Sequence, residues 1–212
     1  MSAPARATYH HGNLREALVE AGLELTRAGG PSALVLRDVT RRVGVSPNAA
    51  YRHFADRDAL LAAVAAAIQE GMVARMQSAR GGRRAPPDPV RALRAVGLGY
   101  VDFALAEPGW FETAFGMSSA LPGGPAPQDV DALPPADRLP APLARLVEAL
   151  DGLVEAGLLS PRRRRGAEWP CWSAVHGYAL LALGGPLRGQ PPRVLRREAE
   201  RTVDAIIAGL LA

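Results

Sequence analysis

The chain has 212 residues, of which 48% are hydrophobic and 22% charged, and this composition excludes a disordered or fibrous protein. No apolar run is long enough for a membrane span and no apolar signal-peptide core follows Met1, so we expect a cytoplasmic protein with no membrane partner. The single cysteine, Cys171, excludes an intrachain disulfide, and the net charge of +4 allows an anionic partner without requiring one.

Apolar residues recur every three to four positions through most of the chain, and strand signals are scarce. This periodicity predicts an all-α fold. The first helix begins near Leu14 and stops at Gly29-Gly30-Pro31. A short second helix covers 36–43 and ends at Gly44, because glycine tolerates the positive φ that follows many helices.

A third helix is predicted to begin within GVSPNAAYRHF, residues 44–54. Ser46 is a suitable N-cap and Pro47 a suitable first residue, because proline has no amide proton to leave unsatisfied there. Two short helices joined by a three-residue turn form a helix-turn-helix candidate. Alternatively, the stretch starts an ordinary helix whose Tyr-Arg-His cluster is only a solvated face.

Longer helices follow in the remainder of the chain, separated by proline and glycine. The Pro-rich segment 118–142 is predicted to be irregular. The run Arg162 to Arg165 is predicted to be a solvated helix start, with a local anionic partner as the alternative. The predicted helices cover 57–80, 89–106, a short stretch from Pro108, 142–157, 161–184 and 192–211.

Small and hydrogen-bonding side chains share the start of the third helix, as a helix entering the major groove of DNA requires. Ala49 would let the backbone approach the bases, and Ala50 is predicted to do the same. Asn48 could pair with an adenine edge, and Arg52 could reach a guanine or a phosphate. The Tyr51 and His53 side chains could hydrogen-bond phosphate oxygens. Arg57, at the start of the next helix, is expected to add a positive charge near the DNA backbone.

Three stretches resemble the TetR/AcrR family of bacterial transcriptional regulators. They are YHHGNLREALVEAGLEL (9–25), LRDVTRRVGVSPNAAYRHFADRDALLAAV (36–64) and a later Trp-x-x-x-His-Gly formed by Trp172, His176 and Gly177. EPGWFETAFGM (107–117) is similar to the middle helix of the subgroup whose ligand domain carries this Trp-His-Gly signature.

The resemblance implies a helix-turn-helix DNA-binding domain at 9–56 and a ligand-binding and dimerisation domain at 57–212. It implies a homodimeric repressor that binds a palindromic operator in double-stranded DNA, needs no cofactor and is released by a small-molecule effector. Family members often have Thr at the position of Ala49, Leu at that of Ala50 and a Ser or Thr cap at that of Val35. By position, the DNA contacts of the family fall on Pro47, Asn48, Ala49, Tyr51, Arg52, His53 and Arg57.

Aromatic and apolar residues of the second domain are candidates to line a ligand cavity, although most would be core residues in any case. His176 lies one turn after Trp172 on the same helix face. It could donate to a ligand or satisfy a buried carbonyl. The cavity candidates are Tyr100, Phe103, Trp110, Phe115, Met117, Trp169, Trp172 and His176.

Apolar stripes on the last two predicted helices are candidates for a dimer interface, with a packed intrachain core as the alternative. Pairing these helices across a two-fold axis would form a four-helix bundle. The two recognition helices would then meet major grooves roughly 34 Å apart, which is why the operator is predicted to be palindromic. The interface candidates are Val175, Ala179, Leu183, Val203, Ile206, Ile207 and Leu210.

Other classes of function have weaker support. An enzyme would need a nucleophile, a base and an orienting group, but Cys171 and His176 have no third partner in the sequence, so we expect no enzyme. The adjacent His10 and His11 diverge on a helix and lack a Cys or carboxylate cluster, so no metal site is expected. The remaining alternative is a helical protein-interaction module that has lost DNA binding, since the Ala-Ala pair departs from the family pattern.

Overall fold

The computed structural model describes residues 14–78, 88–116 and 139–212. Within these ranges the chain forms α-helices, one 3-10 turn at Pro31–Ala33 and no strand, which confirms the predicted all-α fold. The helices are α1 (Leu14–Gly29), α2 (Leu36–Val43), α3 (Pro47–Tyr51), α4 (Arg57–Ser78), α5 (Pro89–Ala106), α6 (Pro108–Phe115), α7 (Ala141–Glu155), α8 (Pro161–Arg164), α9 (Glu168–Leu183) and α10 (Pro192–Leu211).

Helices α1, α2 and α3 pack together into a unit that we call the head. The turn between α2 and α3 has the glycine, cap and proline positions predicted from the sequence. Gly44 ends α2 in the left-handed region, with φ of 78°. The Ser46 hydroxyl accepts a hydrogen bond from the Ala49 amide at 3.3 Å, and Pro47 is the first residue of α3. Both predicted caps are therefore confirmed.

Helix α4 connects the head to the rest of the chain. By length and composition, its segment Arg57–Met76 is apolar enough to cross a membrane. The apolar stripe of this helix is buried inside the protein, where α1 covers one part of it and α5, α6 and α7 cover the rest. Its apolarity is thus that of a core helix. The buried stripe consists of Leu60, Leu61, Val64, Ile68, Met72 and Met76.

Helices α5 to α10 form a second unit, which we call the body. Helix α5 lies at its centre and packs against α4, α7, α9 and α10. This position explains why most of the apolar residues of α5 are buried. The predicted bounds of α5 and α10 are confirmed, because each begins at a proline that needs no amide partner in the first turn.

The predicted single helix over 161–184 is wrong, because the structure contains α8 and α9 with a break between them. Gly166 lies in the break with φ of 66°, a conformation that glycine adopts without strain. Arg164 bridges the break by pairing with Asp151 at 2.6 Å and with Glu168 at 2.7 Å. Arg164 of the arginine run therefore finds its anionic partners within the chain.

Several predictions concern residues outside the described ranges. These are His10 and His11, the cavity candidate Met117, and the Pro-rich segment up to residue 138.

Candidate functional site

The exposed face of α3 carries the side chains predicted to contact DNA. Asn48, Tyr51, Arg52 and His53 are all exposed, as is Pro47. Tyr51 is 53% exposed. The surface of α3 is therefore available to a binding partner.

The two alanines of α3 differ in their environment. Ala49 is partly exposed, whereas Ala50 is fully buried. Beneath α3, Phe54 is also buried, and the Arg15 guanidinium lies 4.9 Å from the centre of its ring. Ala50 and Phe54 thus fix α3 on the head, and only Ala49 keeps the predicted role of allowing close approach.

Arg57 lies at the start of α4, but its guanidinium is engaged within the head. Nε donates to the Leu34 carbonyl at 2.8 Å, and Nη2 donates to the Pro31 carbonyl at 2.5 Å. Nη1 pairs with Asp58 at 3.1 Å. These contacts tie α4 to the 3-10 turn, so Arg57 has a structural role that the sequence did not reveal. A DNA contact by its partly exposed side chain stays a prediction.

Helix α6 is the part of the body that contacts the head, because it packs against α1 as well as against α4 and α5. The Trp110 indole donates to the Leu23 carbonyl of α1 at 2.8 Å. Gly109 allows this close approach, since a Cβ atom at this position would lie 2.3 Å from the Arg27 carbonyl oxygen and 2.6 Å from that of Thr26. Any displacement of α6 would therefore act directly on α1.

A buried carboxylate strengthens this junction. Glu107 lies between α5 and α6 with its side chain only 7% exposed. It accepts from Arg27 Nε at 2.8 Å and Arg27 Nη2 at 2.7 Å, and from Arg75 Nη2 at 3.0 Å. Hydrogen bonding from Arg27 is the main cause that lowers the pKa of Glu107, so the carboxylate stays ionised. This triad joins α1, α4 and α6.

An aromatic cluster occupies the centre of the body. Tyr100 lies in the middle, with ring centres 5.1 Å from Trp172, 5.6 Å from Phe115 and 5.8 Å from Phe111. His176 stacks on Trp172 at 6.3 Å with an interplanar angle of 18°. The cluster therefore joins helices α5, α6 and α9.

The Tyr100 hydroxyl and His176 Nδ1 are 2.9 Å apart. Burial lowers the pKa of His176, which keeps its ring neutral, and burial raises the pKa of Tyr100, which keeps its proton on the hydroxyl. The hydroxyl and Nδ1 share one hydrogen bond, and the tautomer of the His176 ring sets which of them is the donor. The observed partner of His176 is thus a hydroxyl, whereas the sequence left a ligand and a buried carbonyl as the alternatives.

An apolar cavity of about 20 Å³ lies beside this cluster. It is large enough for about one water molecule. Its walls come from four helices of the body and from α4. They include Met76 of α4, Tyr100 of α5, Leu146 of α7, Trp172 of α9 and Ile206 of α10.

Some of the predicted cavity candidates lie together in the aromatic cluster, and the others lie elsewhere. Tyr100, Phe115, Trp172 and His176 come together in the aromatic cluster. Phe103 is a core residue below the Arg75 guanidinium, and Trp110 belongs to the junction with α1. Trp169 is 40% exposed on the first turn of α9.

Phe111 is a member of the cluster that the sequence analysis missed. The signal was present, because Phe111 and Phe115 are four residues apart and so share a face of α6.

Comparison with known proteins identifies the family. Residues 18–64 match the model described as bacterial regulatory proteins, tetR family, and residues 93–206 match the tetracyclin repressor-like C-terminal domain. The second match alone covers more than half of the chain. The chain belongs to the TetR family. It is therefore a ligand-responsive, DNA-binding transcriptional regulator. Assignment to the Trp-His-Gly subgroup stays a prediction.

Several solved structures share the fold along nearly the whole chain. A protein with unknown function from Rhodococcus sp. RHA1 is 28% identical, with a TM-score of 0.72, and the alignment covers 98% of this chain and 100% of that one. A TetR variant from Acinetobacter baumannii AYE, in complex with minocycline, is 20% identical with a TM-score of 0.62, covering 92% and 94%. A TetR regulator from Streptomyces coelicolor is 22% identical with a TM-score of 0.64, covering 93% and 97%. No curated protein matches the sequence.

The predicted dimer-interface residues of this TetR-family chain divide by burial. Val175, Ala179, Val203 and Ile207 are each at most 7% exposed in the single chain, where α9 and α10 pack against α5. Because little of their surface is left for a partner, these four residues are core residues, and the predicted dimer interface is revised. The candidates that keep partly exposed side chains are Leu183, Ile206 and Leu210.

Other exposed residues of these two helices extend that surface. On α9, Leu180 is 53% exposed and Leu181 is 46% exposed. On α10, Ala205, Ala208 and Gly209 are exposed, and their small side chains allow close helix approach. We call Leu180, Leu181, Ala205, Ala208 and Gly209 the α9–α10 surface.

An open cleft of about 500 Å³ lies where α6 meets the ends of α1 and α9. Gly30 of the α1 end, Glu112 and Phe115 of α6 and Leu183 of α9 are among its walls. Its size falls within the range of small-molecule sites.

Proposed function

We propose that this regulator is a cytoplasmic repressor. A homodimer binds a palindromic operator through α3 of each head, and a small molecule entering the body releases it. The proposed domains are 9–56 for DNA binding and 57–212 for ligand binding and dimerisation. The proposal adds a direction of regulation and specific residues to the family assignment.

The exposed α3 side chains support the DNA-binding part. Asn48 is proposed to read a base edge, and Arg52 a guanine or a phosphate. Tyr51 and His53 are proposed to hydrogen-bond phosphates, while Pro47 and Ala49 let the helix start approach the groove closely. Such contacts give specificity through the bases and salt-dependent affinity through the phosphates.

The α9–α10 surface is proposed as the dimer interface, together with Leu183, Ile206 and Leu210. Its combination of exposed leucines and small residues suits the packing of two helices against their copies across a two-fold axis. A dimer of this kind would present its two α3 helices to successive major grooves, roughly 34 Å apart.

The cavity beside the aromatic cluster is proposed as the effector site, and one observation carries this assignment. Met76 of α4, the helix that leads from the head, forms part of the cavity wall. A drug-sized ligand needs about 300 Å³ or more, so it must displace walls that now enclose about 20 Å³. The open cleft does not include α4 among its described walls, which is why we favour the cavity beside the aromatic cluster.

Displacement of these walls would reach the head by two routes. One is α4 itself. The other is α6, whose Phe111 and Phe115 pack in the aromatic cluster and whose Trp110 is hydrogen-bonded to α1. A coupling free energy of about 1–3 kcal/mol, or roughly 5- to 150-fold in operator affinity, is typical of such switches.

A non-catalytic role is part of the proposal. Burial is the main cause that raises the pKa of the Cys171 thiol to about 11, so it stays protonated and is a poor nucleophile at neutral pH. Its burial against α5 and α10 suits packing of the cavity wall.

The decisive experiment is a DNA titration. The purified protein is titrated against fluorescent DNA from the flanks of its own gene at two salt concentrations, beside an Asn48→Ala, Tyr51→Ala double variant. Gln190→Ala, an exposed change between α9 and α10, is the control. We expect wild type and control to bind selectively, with affinity that falls steeply as salt rises, and the double variant to lose selectivity. Equal or absent binding by all three would favour the protein-interaction alternative.

A further inference from the structure

Helix α7 carries a buried arginine whose hydrogen-bonding capacity is only partly used. The Arg145 side chain is 5% exposed. Its Nη1 pairs with Glu148, one turn along the helix, whose own side chain is 70% exposed. Nε and Nη2 are buried and have no hydrogen-bond partner among the residues that the structure describes. Within the described part of the chain, two donors of Arg145 are therefore left without an acceptor.

These two donors are adjacent on the guanidinium. Nε and Nη2 form one edge of the planar group, and this edge binds both oxygens of a carboxylate through two parallel hydrogen bonds. Leaving a charged donor pair buried without acceptors is unfavourable, and a bound acid would remove that penalty. The Nε and Nη2 edge of Arg145, which has no acceptor among the described residues, thus fits an anionic ligand group.

Arg145 is not among the residues that line the proposed effector cavity, but two of its neighbours on α7 are. Pro142, three residues before it, and Leu146, directly after it, both line the cavity. All three belong to the buried face of α7. Among the described residues that line the cavity none is charged, so an occupant needs an apolar body.

We propose that the effector is an apolar monocarboxylic acid. Its hydrocarbon body lies in the cavity beside the aromatic cluster, and its carboxylate accepts from Arg145 Nε and Nη2. The inference deepens the proposed function and rests on it, because it names the chemical class that fills the same cavity. A single negative charge fits best, since Glu148 already neutralises the other end of the guanidinium and no described wall residue is basic.

Binding of matched acids and alcohols to the full chain tests the proposal. Octanoate, dodecanoate and phenylbutyrate are each titrated by calorimetry beside the alcohol of the same carbon skeleton. We expect at least one acid to bind wild type, and to bind at least about tenfold more tightly than its alcohol. If no acid binds, or if acids and alcohols bind equally, the proposal is overturned.

Two substitutions of Arg145 test whether the preference for the acid over its alcohol arises at this residue. Arg145→Met keeps the length of the side chain without donors, and we expect it to abolish the preference for the acid while the alcohol still binds. Arg145→Lys keeps the charge but not the two-donor edge, and we expect it to retain only part of the preference. Arg162→Met, an exposed arginine of α8, is the control and should bind like wild type. An acid preference that survives in Arg145→Met would refute the assignment.

A third variant avoids disturbing Arg145 itself. Glu148→Gln removes the only carboxylate that pairs with this guanidinium in the described part of the chain. We expect the acid to bind as tightly as to wild type or more tightly, because the repelling charge is gone. Loss of acid binding in Glu148→Gln would contradict the proposal.

Operator release separates this inference from the proposed function. A saturating acid should lower the operator affinity of wild type and Arg162→Met by about 5- to 150-fold, and should leave that of Arg145→Met unchanged. If the acid binds through Arg145 but the acid-free protein binds no operator, the proposed repressor function is refuted and the acid site is retained. If the operator is bound selectively and acids show no preference, the acid site fails alone.

Discussion

Replacement of Glu107 by Gln tests the junction between head and body. The carboxylate of Glu107 accepts three hydrogen bonds from Arg27 and Arg75, which belong to α1 and α4. A glutamine keeps one acceptor oxygen, but its amide group turns a donor toward an arginine donor. At least one charge-assisted hydrogen bond is lost, and both guanidinium groups lose their counter-ion.

The magnitude follows from the burial of the three groups. A hydrogen bond to a charged group contributes about 1.5–3 kcal/mol. The Glu107 side chain is 7% exposed, but those of Arg27 and Arg75 are 58% and 48% exposed, so solvent screens part of this contribution. We therefore expect Glu107→Gln to lower the free energy of unfolding by about 1–2 kcal/mol. With a urea m value of about 2 kcal/mol/M, the midpoint falls by about 0.5–1 M.

Urea unfolding followed by circular dichroism measures this change. Glu112→Gln, an exposed position on α6, is the matched control and should shift the midpoint by much less. A double-mutant cycle with Arg27→Gln should be non-additive, because both changes remove the same contacts. Equal midpoints for the Glu107 and Glu112 variants, or full additivity in the cycle, would refute the reasoning.

Three further predictions concern the junction, the head and the aromatic cluster. Gly109→Ala should destabilise the protein by about 1–3 kcal/mol in urea unfolding, because the added Cβ meets two backbone carbonyls of α1; an unchanged midpoint would contradict this. Val35→Thr should stabilise it by about 0.5–1 kcal/mol, because Val35 is the N-cap of α2, has an extended backbone, is 46% exposed and offers no side-chain acceptor. Val35→Ala is the control for the lost valine surface, and both should be compared by thermal unfolding. Burial lowers the pKa of His176 below the ordinary 6.5, so as the pH falls through that value the unfolded chain binds a proton that the folded ring resists. Stability should therefore decline from about pH 7 to pH 5.5 in wild type and less in His176→Gln; equal declines would argue against a role for this ring. The pKa of Glu107 is also lowered, but protonation of this carboxylate affects stability only at pH values below its ordinary pKa of 4.5.

The sequence by itself determined the features that depend on neighbouring residues. The end of α2 at Gly44, the Ser46 cap and the Pro47 start of α3 involve atoms no more than a few positions apart. Their outcome is set by local backbone geometry, so it could be predicted without knowing the rest of the fold. The all-α class and the family motifs followed from the same local patterns. Gly166 carried a local signal too, and overlooking it led to one helix being predicted where there are two.

Only the tertiary structure decided which helices cover which faces. Periodicity marked Val175 and Val203 as members of apolar stripes, but an apolar stripe packs equally well against its own chain or against a second copy. The hydrogen bonds of Arg57 to the Leu34 and Pro31 carbonyls and the burial of Arg145 are likewise set by long-range packing that no local pattern records. Trp110 and its acceptor Leu23 are 87 residues apart, and Glu107 and Arg27 are 80 apart. The sequence specifies how each helix begins, ends and divides into faces, whereas long-range packing selects the partner of each face.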